Sequence, residues 1–175
     1  MDELRFGSRI KIMNLYLVRH SKAEVSHSRG DSFRKLSERG WQRLADVANQ
    51  VKTMDWKPGL RITSPYLRAR ETAEGFSKIL DFGTFALEPS SLFTPEGDPQ
   101  EALTEIQGWV NRGFDSIWVF THNPFVTDFA RLLVAPSSYD RLNFHTPTVL
   151  ALKFSHDLQP HGGEILWLVH PGEFD

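Results

Sequence analysis

Arg19, His20, Arg68 and His122 are far apart in the chain, yet their types together suit phosphoryl transfer. A phosphoryl group carries its charge on oxygens, and a guanidinium offers those oxygens a planar fork of donors. An imidazole whose reacting nitrogen is unprotonated can attack phosphorus directly. A second imidazole, once protonated, adds a charged donor to the group in transfer. Loose phosphoryl transfer needs mainly alignment and charge stabilisation, so side-chain cations can replace a metal ion.

The elements that must position these groups can be read from periodicity. Met13–Arg19 (MNLYLVR) is largely apolar, as a buried strand would be, and ends on Arg19-His20. Val25 to Lys35 is polar, with Ser, Gly and Asp, and reads as a loop. Ser37 is placed to cap a helix with apolar positions Trp41, Leu44, Ala48 and Val51, ended by Pro58-Gly59. Leu60–Thr63 is a short strand, and Ser64-Pro65 opens a second helix with Pro at an early position. That helix carries Arg68 and an inner stripe of Ala69, Thr72, Ala73, Phe76 and Ile79.

A further strand is expected within Phe85–Leu92. Asp98 then caps a third helix, with Pro99 in its first turn and Glu101 three residues after the cap. Ser116–Thr121 (SIWVFT) is a buried strand that ends on His122, and Asn123-Pro124 starts a helix bearing Phe125, Phe129, Leu132 and Leu133. Val149–Phe154 and Glu164–Val169 are the last strands. Strands separated by helices predict an α/β fold with a mostly parallel central sheet covered on both faces. In such sheets sites form at the carboxyl ends of strands, where Arg19-His20, Ser64 to Arg68, and His122 all fall.

None of these residues is diagnostic alone. The chain has seven histidines, and His27, His145, His156, His161 and His170 are assigned structural or solvated roles. Arg68 by itself could pair with Glu71 on its own helix. The joint placement carries the reading.

Length and composition fit one domain over residues 13–175. The chain has 175 residues, 40% of them hydrophobic and 24% charged, which suits an ordinary globular protein. A net charge of -2 gives no reason to expect nucleic acid or an anionic membrane as partner. The lack of cysteine excludes disulfides, thiolate nucleophiles and Cys-bound metals. No apolar run approaches the roughly 18 residues that span a bilayer. MDELRFGSRIKIM has charges where a signal peptide needs an apolar stretch, so a cytoplasmic location is expected. Residues 1–12 match no element and read as an extension before the first strand, or Met13 is the true start. Trp41, Trp109, Trp118 and Trp167 sit in helix or strand patterns and are expected in the core.

Several of these segments resemble the histidine phosphatase superfamily, the phosphoglycerate-mutase-like fold. VRHSKA is similar to its strand-ending Arg-His signature, and LSERG resembles its Leu-(Ser/Thr)-x-x-Gly helix start. SPYLRARETA is very close to its Ser-Pro-x-x-Arg-Ala-x-x-Thr-Ala segment, the most specific of the set. FTHNPFV resembles the second-histidine strand and turn, and TPEGD a loop of the short phosphohistidine-phosphatase branch. The resemblance runs over about Met13 to Leu168 with the motifs in order. It implies a three-layer α/β/α sandwich, a phosphohistidine intermediate on His20, a phosphate pocket of Arg19, Arg68 and His122, and no metal or other cofactor.

The pattern also departs from the common Arg-His-Gly-Glu, since Ser21 and Lys22 follow His20, and this variant is closer to the short branch. Large members carry an inserted segment with a glutamate general acid, for which this chain is too short. Asp98 is the first candidate for the proton donor, ahead of Glu96 and Glu24, with helix capping its equal alternative. Phosphohistidine can dispense with a strong acid, because a protonated imidazole already leaves readily. The favoured function is a metal-independent phosphatase acting on phosphohistidine or another phosphoprotein. The alternatives are a phosphomonoesterase for a small phosphorylated metabolite and a non-catalytic phosphate-binding module; a mutase ranks last.

Overall fold

In a computed structural model that describes residues 12–172, the MNLYLVR segment is a seven-residue strand, β1 (Met13–Arg19). Its alternation sends Leu15 and Leu17 into one core and Tyr16 and Val18 into another. The expected extension lies outside the described residues except for Ile12, which is exposed and in no element.

The chain continues as α1 (Glu38–Lys52), β2 (Leu60–Thr63), α2 (Leu67–Ile79), β3 (Leu87–Pro89), α3 (Pro99–Asn111), β4 (Ser116–Thr121), α4 (Phe125–Leu133), β5 (Thr148–Phe154) and β6 (Glu164–Val169). The strands form one sheet in the order β3-β2-β4-β1-β5-β6. The pairs β3/β2, β2/β4 and β4/β1 are parallel, while β5 runs antiparallel to both β1 and β6. β1 to β4 are joined in succession through α1, α2 and α3 and lie parallel, whereas α4 leads into β5, which enters antiparallel beside β1. β5 and β6 are joined with no helix between them, so β6 returns antiparallel.

Helices cover both faces. Leu44, Val47, Ala48 and Val51 of α1 and Ala73 and Phe76 of α2 pack with Tyr16, Val18, Trp118, Phe120, Val149 and Ala151. Ala102, Leu103 and Ile106 of α3 and Phe125, Phe129 and Leu133 of α4 pack on the opposite face, with Leu15, Leu17, Ile62, Ile117 and Val119. This is the expected α/β/α sandwich. Trp118 is fully buried and stacks on Tyr16 at 4.1 Å between ring centroids. Each such aromatic contributes about 1.5–3 kcal/mol by leaving water. No helix among the described residues is long and apolar enough to cross a membrane.

Three local expectations need correction. Trp41 is exposed rather than core; it lies against Gly75 of α2, at the edge of the helix pair. Pro65 precedes α2 instead of entering it: Tyr66 is the N-cap in extended conformation, and the helix begins at Leu67. The strand expected within Phe85–Leu92 shrinks to three residues, because β3 is an edge strand that ends on Pro89 and leaves Phe85 exposed.

Candidate active site

Sheet order, more than sequence distance, decides what meets at the carboxyl edge. β4 lies between β2 and β1, with Thr63 opposite Phe120 and Arg19 opposite Thr121. The ladder runs one step further on each side: Ser64 N–H donates to Phe120 O at 2.9 Å, and His20 N–H to Thr121 O at 2.8 Å. Ser64, His122 and His20 therefore emerge side by side. The rings of His20 and His122 are 5.0 Å apart between centroids, inclined at 58°.

The hydrogen bonds of His20 fix its tautomer. Nδ1 lies 2.6 Å from Ser21 O, and a carbonyl can only accept, so Nδ1 carries the proton. Nε2 is then an unprotonated lone pair, and Arg68 Nε–H donates to it at 3.2 Å. Burial pushes the imidazole pKa down to about 3, and the charges of Arg68, Arg19 and Arg34 push the same way, against the Ser21 bond. The ring is neutral at physiological pH, with Nε2 in the form a nucleophile requires.

His122 is also buried and is paired with Ser64 Oγ through Nε2 at 2.7 Å. Its Nδ1 is buried with no hydrogen-bond partner among the described residues. Burial foremost, then the neighbouring His20, Arg68, Arg19 and Arg34, lowers its pKa to about 2. His122 is therefore neutral in the chain by itself, and the charged donor that a protonated second imidazole would supply has to form when the phosphoryl group binds. A dianion placed beside the ring would favour protonation and give Nδ1 a partner. Tyr66 lies edge-on to the same ring, with centroids 5.0 Å apart.

The two arginines are anchored differently. Arg19 Nη1 donates to Phe144 O at 2.6 Å, in the loop before β5. Arg68 is 3% exposed and does not pair with Glu71. Its Nη1 and Nη2 donate to the carbonyl and carboxylate of Asp31 at 2.8 and 3.0 Å. Glu71 instead accepts from Leu36 N–H at 2.6 Å, which ties α2 to the entry of α1.

The flanking motifs hold this arrangement. Ser37 Oγ accepts from Gly40 N–H at 3.1 Å and donates to Lys22 O at the same distance. A Cβ on Gly40 would lie 2.0 Å from Lys22 O, so LSERG needs glycine there for α1 to start against the segment after His20. Thr72 Oγ accepts from Ser21 N–H at 3.0 Å and donates to Arg68 O at 2.7 Å. One turn of α2 thus sets Arg68 relative to His20.

Asp98 is the N-cap of α3, with Oδ1 accepting from Gln100 N–H at 2.7 Å and Glu101 N–H at 3.2 Å. Its loop crosses the carboxyl edge. Ser90 N–H donates to Thr63 O, and Thr121 Oγ to Phe93 O at 2.6 Å. A Cβ on Gly97 would lie 2.1 Å from Leu92 O and 3.1 Å from the Phe125 ring. Glu96 is exposed in this loop, and Glu24 pairs with Lys35 at 3.6 Å on the other side. His27, His156 and His161 are exposed, and His145 and His170 pack with rings 5.7 Å apart. No group of three or more His, Cys, Asp or Glu among the described residues could hold a metal. Asp31 and Arg34, which sequence reasoning passed over, lie in the polar loop and carry no periodic signal.

The fold and this edge define a class: three-layer α/β proteins that gather paired histidines and arginines at the ends of parallel strands. Residues 15–89 match the family model for the histidine phosphatase superfamily, branch 1. The phosphohistidine phosphatase SixA of Escherichia coli K12 is 30% identical over 114 residues, which is 65% of this chain and 70% of that protein. The chain belongs to the histidine phosphatase superfamily. Within it, the structure of the protein histidine phosphatase SixA complexed with tungstate superposes with a TM-score of 0.79 at 24% identity, covering 91% of this chain and 97% of that one. Phosphoglycerate mutase from Bacillus anthracis superposes less closely, with a TM-score of 0.61 at 15% identity over 89% of this chain and 92% of that one.

Proposed function

We propose that the protein is a metal-independent phosphatase for phosphohistidine or another phosphorylated protein side chain, with His20 as its covalent nucleophile. The observation that carries this reading is the fixed tautomer of His20: Nδ1 donates to Ser21 O, and Nε2 presents a lone pair beside Arg68. Nε2 attacks phosphorus, the N–P bond forms, and the bond to the leaving group breaks. Water then attacks the phosphohistidine, its oxygen bonds to phosphorus, the N–P bond breaks, and phosphate leaves with one of the water's protons while the other restores the group that protonated the leaving group or passes to solvent.

Arg19, Arg68 and His122 bind the phosphoryl oxygens. The buried, unpartnered Nδ1 of His122 supports this, because a phosphoryl oxygen would satisfy it. Asp98 protonates an ester leaving group; its Oδ2 has no partner among the described residues, and its loop packs along the edge that bears His122. A protonated imidazole leaving group needs no such donor. Similarity to SixA supports a phosphoprotein over a small metabolite.

The test is His20→Ala with a phosphohistidine protein as substrate. Turnover should fall on the order of a thousandfold or more, because the covalent route disappears. An acid-labile phosphoenzyme should be trapped in the wild type and absent from the variant. Substantial turnover by His20→Ala sinks the reading.

A further inference from the structure

One carboxylate orients two guanidinium groups next to His20. Asp31 opens a short 3-10 turn, Asp31–Phe33, after Gly30 at φ 109. Its Oδ2 and carbonyl accept from Arg68, and its Oδ1 accepts from Arg34 Nε at 2.7 Å. Arg34 is fixed at a second point, where Nη1 donates to Glu24 O at 2.7 Å. Its Nη2 has no partner among the described residues, and its side chain is three-quarters buried.

A stability role does not account for this arrangement. The Asp31 side chain is 56% exposed, and ion pairs to so exposed a group add little to folding. Arg34 is also one of three arginines whose charge opposes protonation of both imidazoles. The three guanidinium groups carry more positive charge than the single Asp31 carboxylate between two of them offsets, and an anion bound among them would balance the remainder. Holding each guanidinium by two bonds removes rotamer freedom before the anion arrives.

We propose that Arg34 is a further phosphate-binding residue of this site, and that Asp31 is the positioning residue that turns Arg34 and Arg68 toward one oxyanion. The ligand class is a tetrahedral phosphoryl dianion, whether on substrate or as released inorganic phosphate. The inference rests on the phosphoryl-site reading of His20 and Arg68.

The experiment is calorimetric titration of the whole chain with inorganic phosphate at fixed ionic strength, using Arg34→Gln, Arg34→Lys, Asp31→Asn and Arg68→Gln. Arg29→Gln is the control, since Arg29 stacks on Phe33 and has no part in the site. Arg34→Gln should weaken phosphate about ten- to hundredfold, Arg34→Lys should recover part of the loss, and Arg29→Gln should match wild type. Asp31→Asn should weaken phosphate and raise KM more than it lowers kcat, with Tm unchanged. Adding Arg34→Gln to Asp31→Asn should then cost much less than it does alone, because the two act as a unit. If Arg34→Gln and Arg34→Lys both bind phosphate as wild type does while Arg68→Gln does not, the inference about Arg34 is overturned and the site stands. If Arg68→Gln also binds like wild type, the reading of the site falls and takes the inference with it.

Discussion

Arg68 donates its Nε–H to the Nε2 of His20 across 3.2 Å, while the other ring nitrogen is held by the Ser21 carbonyl at 2.6 Å. A protonated Nε2 could not accept that bond. The neutral tautomer is therefore built into the fold by one residue of α2 and the backbone just after β1. A phosphoryl group that displaces the Arg68 N–H from the lone pair meets a nucleophile and a cation at the same point.

The first expectation is a dependence of stability on pH. His20 and His122 stay neutral in the folded chain down to about 3 and about 2, whereas unfolded histidine titrates near its ordinary 6.5. As pH falls below about 6.5, the unfolded chain takes up protons at both positions that the native chain refuses, so the native state loses stability. Each histidine contributes a slope approaching about 1.4 kcal/mol per pH unit below that point, and the loss ends only near the folded pKa. Urea unfolding of the chain in phosphate-free buffer from pH 7 to 4.5 measures this. His122→Asn should flatten the slope by about one proton, and an unchanged slope would contradict a buried neutral His122.

A second expectation concerns metal. The positive charge at the site is supplied by the guanidinium groups of Arg19, Arg34 and Arg68, and such groups can do the charge stabilisation that a divalent ion does elsewhere. Hydrolysis of an aryl phosphate should continue at the wild-type rate in excess chelator. Loss of activity that a divalent ion restores would refute a metal-independent reaction.

Gly40 provides a third. Its missing Cβ lets α1 start directly on the Lys22 carbonyl, two residues after His20, where an added methyl would lie 2.0 Å from the oxygen. Gly40→Ala should destabilise by about 1–3 kcal/mol, since the atoms it would meet are all backbone atoms of Lys22, and should lower kcat/KM by displacing the His20 segment. Gly108→Ala is the matched comparison: it lies within α3 with nothing within 4 Å of the added carbon, so it should stabilise by about 0.4–1 kcal/mol. Thermal unfolding of both variants, alongside activity, checks the pair.

Much of this architecture was legible because burial leaves a periodic trace. The apolar runs of β1, β2, β4 and β6 have the bounds expected, and β5 begins one residue earlier, at Thr148. Ser37 and Asp98 cap their helices as their types require. Arg19, His20 and His122 were legible as strand-end residues, where α/β sheets carry their sites, and Arg68 as part of the segment that follows β2. Asp31 and Arg34 were not legible, since their place depends on how a 3-10 turn folds back over Arg68, and loops carry no period. Trp41 misled because helical spacing gives a face, while how deeply that face is covered depends on the neighbouring helix, and Trp41 stays exposed although its ring reaches Gly75 of α2.

The last expectation concerns Asp98, where capping and proton donation are separable. Oδ1 receives both cap N–H groups, which leaves Oδ2 for a leaving group. Asparagine caps a helix about as well as aspartate, so Asp98→Asn should leave Tm close to wild type. It cannot give up a proton. An ester with a poor leaving group should therefore slow by about a hundred- to ten thousandfold, while an activated aryl ester, whose oxygen departs without a proton, should change little. Phosphohistidine should also change little, because its protonated imidazole leaves unaided. The measurement is the ratio of the effect on an alkyl phosphate to that on an aryl phosphate. A ratio near one, with Tm unchanged, would leave Asp98 only its place at the head of α3 and turn the search for the proton donor to Glu96, Glu24 and solvent.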